Sequence, residues 1–473
     1  MSDRPDTYDV IVLGAGPVGE NVVGRVVAGG LTAAIVEKRL AGGECSYYAC
    51  IPSKALLRPM DLAAEVGRMP GLSLGPVDAA AVLARRDEAI GHLDDSGQVG
   101  WVESVPAAFV RGHGRLAGPR RVEVTGPGGG VRTLTARHAV VIATGSAPAV
   151  PDVPGLRAAR PWTNREATTA REIPRRLVVV GGGVVACEMA QALHFLGAEE
   201  TVMLVRGRRL LGRTEPFAGE LVAASLRAAG IDVRFGEAPA RVARPEPGGP
   251  VTVHTTSGAR LEADEILVAT GREPAVHDIG LETVGLTPGG PLQVGDDLRV
   301  TAVPEGWLYA VGDVNGRNLL THMGKYQARV CGDVIVARAK GLPEEAPGLR
   351  AVADALGAPQ VIFTDPQVAA VGRTEERARA EGFPVRAVEY DIGNVSGAYL
   401  LGDGYTGRAK AVVDEERRTL LGVTFAGPGV GELLHAATIA VTAQVPLDRL
   451  WHAVPAFPTV SEIWLRLLEE YGL

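Results

Sequence analysis

The amino-acid sequence predicts an α/β protein containing two strand–turn–helix–strand units, with an antiparallel strand pair toward the C-terminus. Three observations carry this expectation. One glycine fingerprint follows an apolar strand near the N-terminus, and a second follows another such strand just before residue 181. The stretch "RAKAVVDEERRTLLGVTFAG" then alternates like two strands around the polar turn Asp414 to Arg418.

The first unit opens with Tyr8-Asp9-Val10-Ile11-Val12-Leu13, a buried-strand pattern. It runs directly into Gly14-Ala15-Gly16-Pro17-Val18-Gly19 and an apolar segment of helical length. In this G-x-G-x-x-G context Gly14 permits the tight turn, Gly16 lets the backbone approach a pyrophosphate, and Gly19 allows close helix–strand packing. The helix N-terminus adds N–H donors and the positive end of its dipole. Leu31 to Val36 reads as the second strand, and Glu37 at its end is placed to receive ribose hydroxyls. A chance glycine-rich turn has no reason to be followed by helix, strand and acid in that order. A Rossmann-like dinucleotide-binding domain is therefore expected.

The second unit repeats the pattern. A strand from Leu177 to Val180 leads into Gly181-Gly182-Gly183-Val184-Val185-Ala186, with alanine at the third glycine position, then a helix and a strand from Thr201 to Val205. That strand ends in Arg206, Arg208, Arg209 and Arg213 instead of an acid. Arginines suit a 2′-phosphate, so NADPH is expected over NADH, with a solvated basic loop as the alternative. Two such sites imply hydride entering from a nicotinamide at the second and being received at the first. FAD is the candidate there, because a flavin accepts hydride and can pass electrons to a disulfide.

Such a disulfide is offered by "GGECSYYACIPSK", residues 42 to 54, which places Cys45 and Cys50 in a chain of 473 residues with only four cysteines. A structural disulfide framework does not fit so long and cysteine-poor a chain. Pro52 suits the first turn of a helix, so Cys50 is expected near a helix start, where dipole and unpaired N–H groups favour a thiolate. Cys50 then suits the position facing the flavin, and Cys45 that of the thiol exchanging with a substrate disulfide. An inert buried pair and a metal site stay as alternatives, although no second C-x-x-C or H-x-x-x-H cluster accompanies the pair. Cys187 and Cys331 lie in apolar contexts and read as small buried hydrophobes.

Composition sets the context. With 46% hydrophobic residues the chain can bury several cores, and a net charge of −7 with interspersed signs argues against nucleic acid and against a polybasic membrane anchor. No apolar run reaches membrane-spanning length, and the N-terminus lacks the order of a signal peptide. A cytoplasmic enzyme acting on a small-molecule electron acceptor is expected.

These motifs, with "VVIATGSAP" at 140 to 148, "ILVATGREP" at 266 to 274 and "LYAVGDVNG" at 308 to 316, resemble the flavoprotein disulfide reductases over nearly the whole chain. The resemblance implies an FAD domain at 1–155, an NAD(P)H domain at 156–275, a second FAD segment at 276–345 and an α+β dimerisation domain at 346–473. It also implies a homodimer with active sites at the dimer interface. Within the matched motifs it assigns cofactor contacts to Gly43, Thr144, Gly145, Asp313, His322 and Gly271, with Thr321 and His322 along the flavin. Lys54 and Glu188 match the family's ion pair beside the reactive flavin nitrogen.

One departure carries chemical weight. The family's usual His-Pro-Thr reads Phe457-Pro458-Thr459 here, while Glu462 keeps the position of the acid that orients the histidine. Phenylalanine can neither protonate a leaving thiolate nor stabilise one, a loss of about 10²–10⁴ in rate. Tyr47, Tyr48, a Glu462 left in an apolar pocket, or an acidic leaving thiol on the substrate are the candidate substitutes. His452 is read as a surface or interface residue. Three functions follow: a thiol/disulfide oxidoreductase, a thiophilic metal-ion reductase like mercuric reductase, and a diaphorase-like NAD(P)H:quinone reductase in which Phe457 stacks on a flat acceptor. The metal reading is weakened by the chain end "LRLLEEYGL", which lacks that enzyme's C-terminal cysteine pair. A flavin-binding sensor or assembly module is the non-enzymatic alternative.

Overall fold

The computed structural model describes residues 6–473, which form two compact units. The first comprises the chain up to Pro52 with Asp87–Pro148 and Arg272–Asp354. The second comprises Ser53–Arg86, Ala149–Gly271 and Ala355–Leu473.

In the first unit β1 (Thr7–Leu13), α1 (Pro17–Ala28) and β2 (Ala33–Glu37) make the parallel unit read from the first fingerprint. β1 runs parallel to β2, with Val10 opposite Ala33, and parallel to Val131–Ile142 on its other side, with Val10 opposite Ala139. Among the described residues this sheet has seven strands. Ala107–Arg111 adds beyond β2, the antiparallel strands Arg121–Thr125 and His113–Leu116 add beyond Val131–Ile142, and Leu308–Ala310 pairs parallel with the end of Val131–Ile142. Both faces of β1 are covered, which explains its unbroken apolar run. Val10 and Val12 pack with Val22, Val23 and Val26 of α1 and Val334 of the helix Thr321–Ala339, while Ile11 and Leu13 pack with Val122, Leu134 and Val140.

One local expectation shifts. β2 starts at Ala33 instead of Leu31, because the Leu31 N–H closes the end of α1 on Val26 O and Thr32 is held by Asp9. A short strand, Ser146–Pro148, runs antiparallel to Arg272–Pro274. The glycine-rich segment 126–130 joins Arg121–Thr125 to Val131–Ile142, which are antiparallel.

The second unit holds the second fingerprint in a parallel sheet ordered Asp232–Phe235, Glu200–Val205, Arg176–Val180, Glu265–Val268, with the helix Val184–Phe195 following the glycine loop. A three-stranded antiparallel sheet contains the turn at 245–249. A five-stranded antiparallel sheet contains the expected pair Arg408–Asp414 and Thr419–Gly427. Cys187 and Cys331 are fully buried, each in the apolar core of its own unit. Among the described residues no helix is long and apolar enough to cross a membrane.

Candidate active site

The first glycine loop is shaped by backbone contact. Gly14 has φ +103°, and a Cβ there would sit 2.4 Å from Ala143 O; one on Gly19 would sit 2.0 Å from Gly14 O. Gly16 differs: an added Cβ meets no protein atom within 4 Å, and Gly16 caps α1 without a side-chain hydrogen bond. The loop thus presents an open face and an uncapped helix N-terminus. Glu37 accepts from Ala15 N at 2.9 Å and Arg39 N at 2.7 Å, tying the end of β2 to the loop. Nearby, Gly43 with φ +58° lies against Gly16, Thr144 carries a buried Oγ1 with no hydrogen-bond partner, and Gly145 at φ +71° faces open space. An open glycine face, free helix N–H groups and an orphaned hydroxyl fit a dinucleotide phosphate and sugar. Asp313 accepts from Ser146 Oγ at 2.5 Å, and Ser146 in turn accepts from Arg272 Nε at 2.6 Å.

The cysteines occupy two helices. Cys45 lies in α2 (Gly43–Tyr47), a five-residue helix the sequence reading did not separate, and Cys50 is the first residue of α3 (Cys50–Gly67). Gly42 N donates to Ala15 O at 2.6 Å, so the glycine loop holds the cysteine segment directly. Cys50 is the group that acts most strongly on Cys45. Cys50 Sγ is 3.4 Å from Thr321 Oγ1. Cys50, and then burial, push the Cys45 thiol up, while Thr321 and the charge of Lys325 pull it down. His322 is exposed at the start of the same helix as Thr321.

Tyr47 is not the proton source considered from the sequence. It is buried, its hydroxyl donates to Gln98 Oε1 at 3.0 Å and faces Asp94 O at 3.2 Å, and burial first, then Asp95, pushes it up to about 12. Tyr48 is half-buried and also raised by burial.

In the second unit Lys54 Nζ donates to Glu188 Oε2 at 2.8 Å. Glu188 is buried and its other oxygen accepts from Phe363 N at 2.9 Å, while Lys54 lies 4.8 Å from the Phe363 ring centre. Gly181, at φ +135°, has room for no side chain, since a Cβ would lie 2.3 Å from Ala269 O. Gly183 and Gly271 face open space, and Gly183 caps its helix without a side-chain bond, repeating the design of the first loop. Arg206, Arg208 and Arg213 are exposed, whereas Arg209 turns to Gly212 O at 3.1 Å.

Residues 8–341 match the family model described as pyridine nucleotide-disulphide oxidoreductase, and residues 358–467 match its dimerisation domain. The chain belongs to this family. Pyridine nucleotide-disulphide oxidoreductases are FAD- and NAD(P)H-dependent enzymes. Relatives include a dihydrolipoyl dehydrogenase of Thermus scotoductus, 32% identical over 96% of this chain and 95% of that protein. A mercuric reductase of Staphylococcus aureus is 28% identical over 97% of this chain and 82% of its own. The HOCl-induced flavoprotein disulfide reductase RclA of Escherichia coli, solved also as a Cu(II) complex, shares the fold. In that complex the TM-score is 0.83 at 23% identity, covering 98% of this chain and 99% of the other.

The matched dimerisation segment carries the family's divergent position. Phe457 is 74% exposed and lines an open surface depression with Tyr399, Leu400 and Pro458. Glu462 is not left alone in an apolar pocket as expected. Its Oε1 accepts from Arg466 Nη2 at 2.5 Å, one helical turn on, while its buried Oε2 has no hydrogen-bond partner. A carboxylate already held by arginine is a poor substitute acid. Two residues the sequence reading passed over act on the cysteine region. Glu20 in α1 raises Tyr47, and Lys325, one turn beyond Thr321, acts on Cys45. An acid in the first turn of a helix reads as ordinary dipole compensation, so Glu20 gave no distinguishing signal.

Proposed function

We propose that this enzyme passes electrons from NADPH through FAD to the Cys45–Cys50 pair and on to a disulfide-type acceptor, as a homodimer. The reading rests on one observation above the rest: Cys50 stands at the N-terminus of α3 with its sulfur against Thr321 Oγ1, while Cys45 lies in α2, which the glycine loop holds through Gly42. In this reading Gly14, Gly16, Gly19, Gly43, Thr144, Gly145 and Asp313 hold FAD, with Glu37 supporting the loop. Gly181, Gly183, Gly271 and Arg206 hold the nicotinamide nucleotide. The flavin supplies hydride acceptance and two-electron delivery when bound. The chain's own part is thiol chemistry. The Cys50 thiolate is stabilised by the helix dipole, and Cys45 attacks the acceptor to form a mixed disulfide that Cys50 then resolves. Lys54, fixed by Glu188, keeps a positive charge at the position the family uses beside the flavin.

An anaerobic titration of the yellow holoenzyme with NADPH tests the path. One equivalent is expected to produce a long-wavelength band from a thiolate lying against oxidised flavin. Simple bleaching of the flavin, without that band, removes the cysteines from the path. A thiophilic metal ion is the second reading, favoured by the aromatic Phe457 in the proton-donor position and by the mercuric reductase relatives. Among the described residues no cluster of three or more metal-ligating side chains accompanies the cysteines, so a metal acceptor would engage the pair alone.

The nucleotide preference has its own test. Arg206→Glu is expected to lower kcat/KM for NADPH about tenfold, through loss of a charge-assisted bond to the 2′-phosphate, with less than about a twofold change for NADH. Steady-state rates with ferricyanide as acceptor give the ratio, and equal losses for both nucleotides reject a role in selection.

A further inference from the structure

We propose that Gln327, held by Asp354, is a positioning residue for the flavin site: it fixes the Gly312–Asp313 backbone to the helix whose first residue, Thr321, touches Cys50. This inference rests on the reading above in which Asp313 holds FAD.

The network lies within the first unit. Gln327 is fully buried in the second turn of Thr321–Ala339. Its Oε1 accepts from Gly312 N and from Asn315 Nδ2, both at 2.8 Å. Its Nε2 donates to the two carboxylate oxygens of Asp354, at 3.1 and 3.0 Å. The amide has only this orientation. A backbone N–H can only donate, and the Asn315 side-chain nitrogen is turned the same way by its second bond, to Ala310 O at 3.1 Å. The Gln327 NH₂ group must then face Asp354, which also accepts from Asn318 Nδ2 at 2.9 Å and Arg317 Nη1 at 3.3 Å. Tyr326 secures the approach of the acid: its hydroxyl donates to Arg350 O and accepts from Ala353 N, both at 3.3 Å.

The stretch held in this way carries Asp313. Gly312 has φ +78°, and the helix presses on it at Gly324, where a Cβ would lie 3.2 Å from Gly312 Cα and 2.6 Å from Val18 Cγ2 of α1. Apolar contact of this kind brings helix and loop together without direction. A side chain with an acceptor at one end and a donor at the other adds the direction, because one arrangement alone satisfies every buried group. If Gln327 loses that polarity, the Gly312 N–H must seek another acceptor and the turn shifts. Asp313 and its bond from Ser146 Oγ shift with it, while Thr321 stays with its helix.

Reversing the polarity tests the role. Gln327→Glu sets a second carboxylate against Asp354. Adding Asp354→Asn restores the match with donor and acceptor exchanged, since the new carboxylate still accepts from Gly312 N and Asn315 and now also from the new amide. Apoprotein of each variant is titrated with FAD, and the visible circular dichroism of the bound flavin is recorded at saturation. Gln327→Glu is expected to bind FAD about tenfold more weakly, as one mismatched buried hydrogen-bonding group implies, with an altered flavin dichroism. The double variant is expected to regain most of the affinity and the wild-type dichroism. If Gln327→Glu does not fold, Asp354→Asn takes its place and is expected to bind more weakly than the double variant. Wild-type affinity and dichroism in the single variant, with or without a lowered melting temperature, overturn the proposal, as does a double variant no better than the single one. Asp313→Ala separates the two levels. If it binds FAD as the wild type does, the assignment of Asp313 falls and this inference with it; if it loses FAD where Gln327→Glu does not, the inference alone falls.

Discussion

Cys50→Ser is expected to lower disulfide reduction by about 10³-fold or more while NADPH-driven reduction of a quinone persists. Cys50 opens α3 and its sulfur lies 3.4 Å from Thr321 Oγ1, so it is held at a position where backbone N–H groups and the helix dipole favour an anion. Serine keeps the size and the contact with Thr321, and the change therefore removes sulfur chemistry without opening a cavity. It cannot resolve a mixed disulfide, because an alkoxide is not available near neutral pH and an S–O bond does not close. The Cys45 mixed disulfide should then accumulate, visible as one acceptor thiol bound per chain by mass spectrometry. A Cys50→Ser enzyme that turns over disulfides at the wild-type rate would sink the proposed path. Loss of quinone reduction to the same extent would mean that the substitution disturbs the flavin site and not the thiol exchange.

What is legible in the sequence is what local interactions fix. The β1–α1 fingerprint was legible because each glycine answers a backbone constraint at a fixed spacing: Gly14 against Ala143, Gly19 against Gly14. The strand pair Arg408–Asp414 and Thr419–Gly427 was legible because its turn and its alternation are contiguous. The other strands of that sheet, such as Gln360–Ile362 and Gln367–Gly372, are short and mixed in pattern; they pair with each other, and only Gln367–Gly372 joins the sheet, through the distant Thr419–Gly427. α2 escaped notice because five residues beginning with glycine carry no helical period. The strand Ser146–Pro148 escaped because proline argues against a strand, and here it sits in a three-residue pair. At the active site the same rule holds. Cys45 and Cys50 announce themselves by spacing, whereas the burial of Glu20 and the charge of Lys325 acting on it arise only in the folded chain. Glu462 looked like an acid without a partner because Arg466, one turn later, reads as an ordinary solvent-facing arginine.

Gly19→Ala and Gly16→Ala are expected to lose flavin for different reasons, and the contrast tests whether the first loop is a ligand cradle. At Gly19 the new methyl would stand 2.0 Å from Gly14 O and 3.3 Å from Val12 Cγ1, so the loop must move away from the helix. Backbone displacement of this kind costs about 1–3 kcal/mol, and the expected product is a colourless protein with a melting temperature lowered by several degrees. At Gly16 the backbone is extended, with φ −73° and ψ 176°, which alanine adopts freely, and the methyl meets no protein atom within 4 Å. The apoprotein should therefore keep its stability to within about 1 kcal/mol, as a glycine-to-alanine change at a helix cap allows. Its flavin content, read from the ratio of absorbance at the flavin band to that of protein, should nevertheless fall, because the space that the methyl enters is the space through which a pyrophosphate reaches the N–H groups of α1. If Gly16→Ala retains full flavin, the open face of the loop is not where the cofactor lies. If it unfolds instead, the glycine serves the chain and not the ligand.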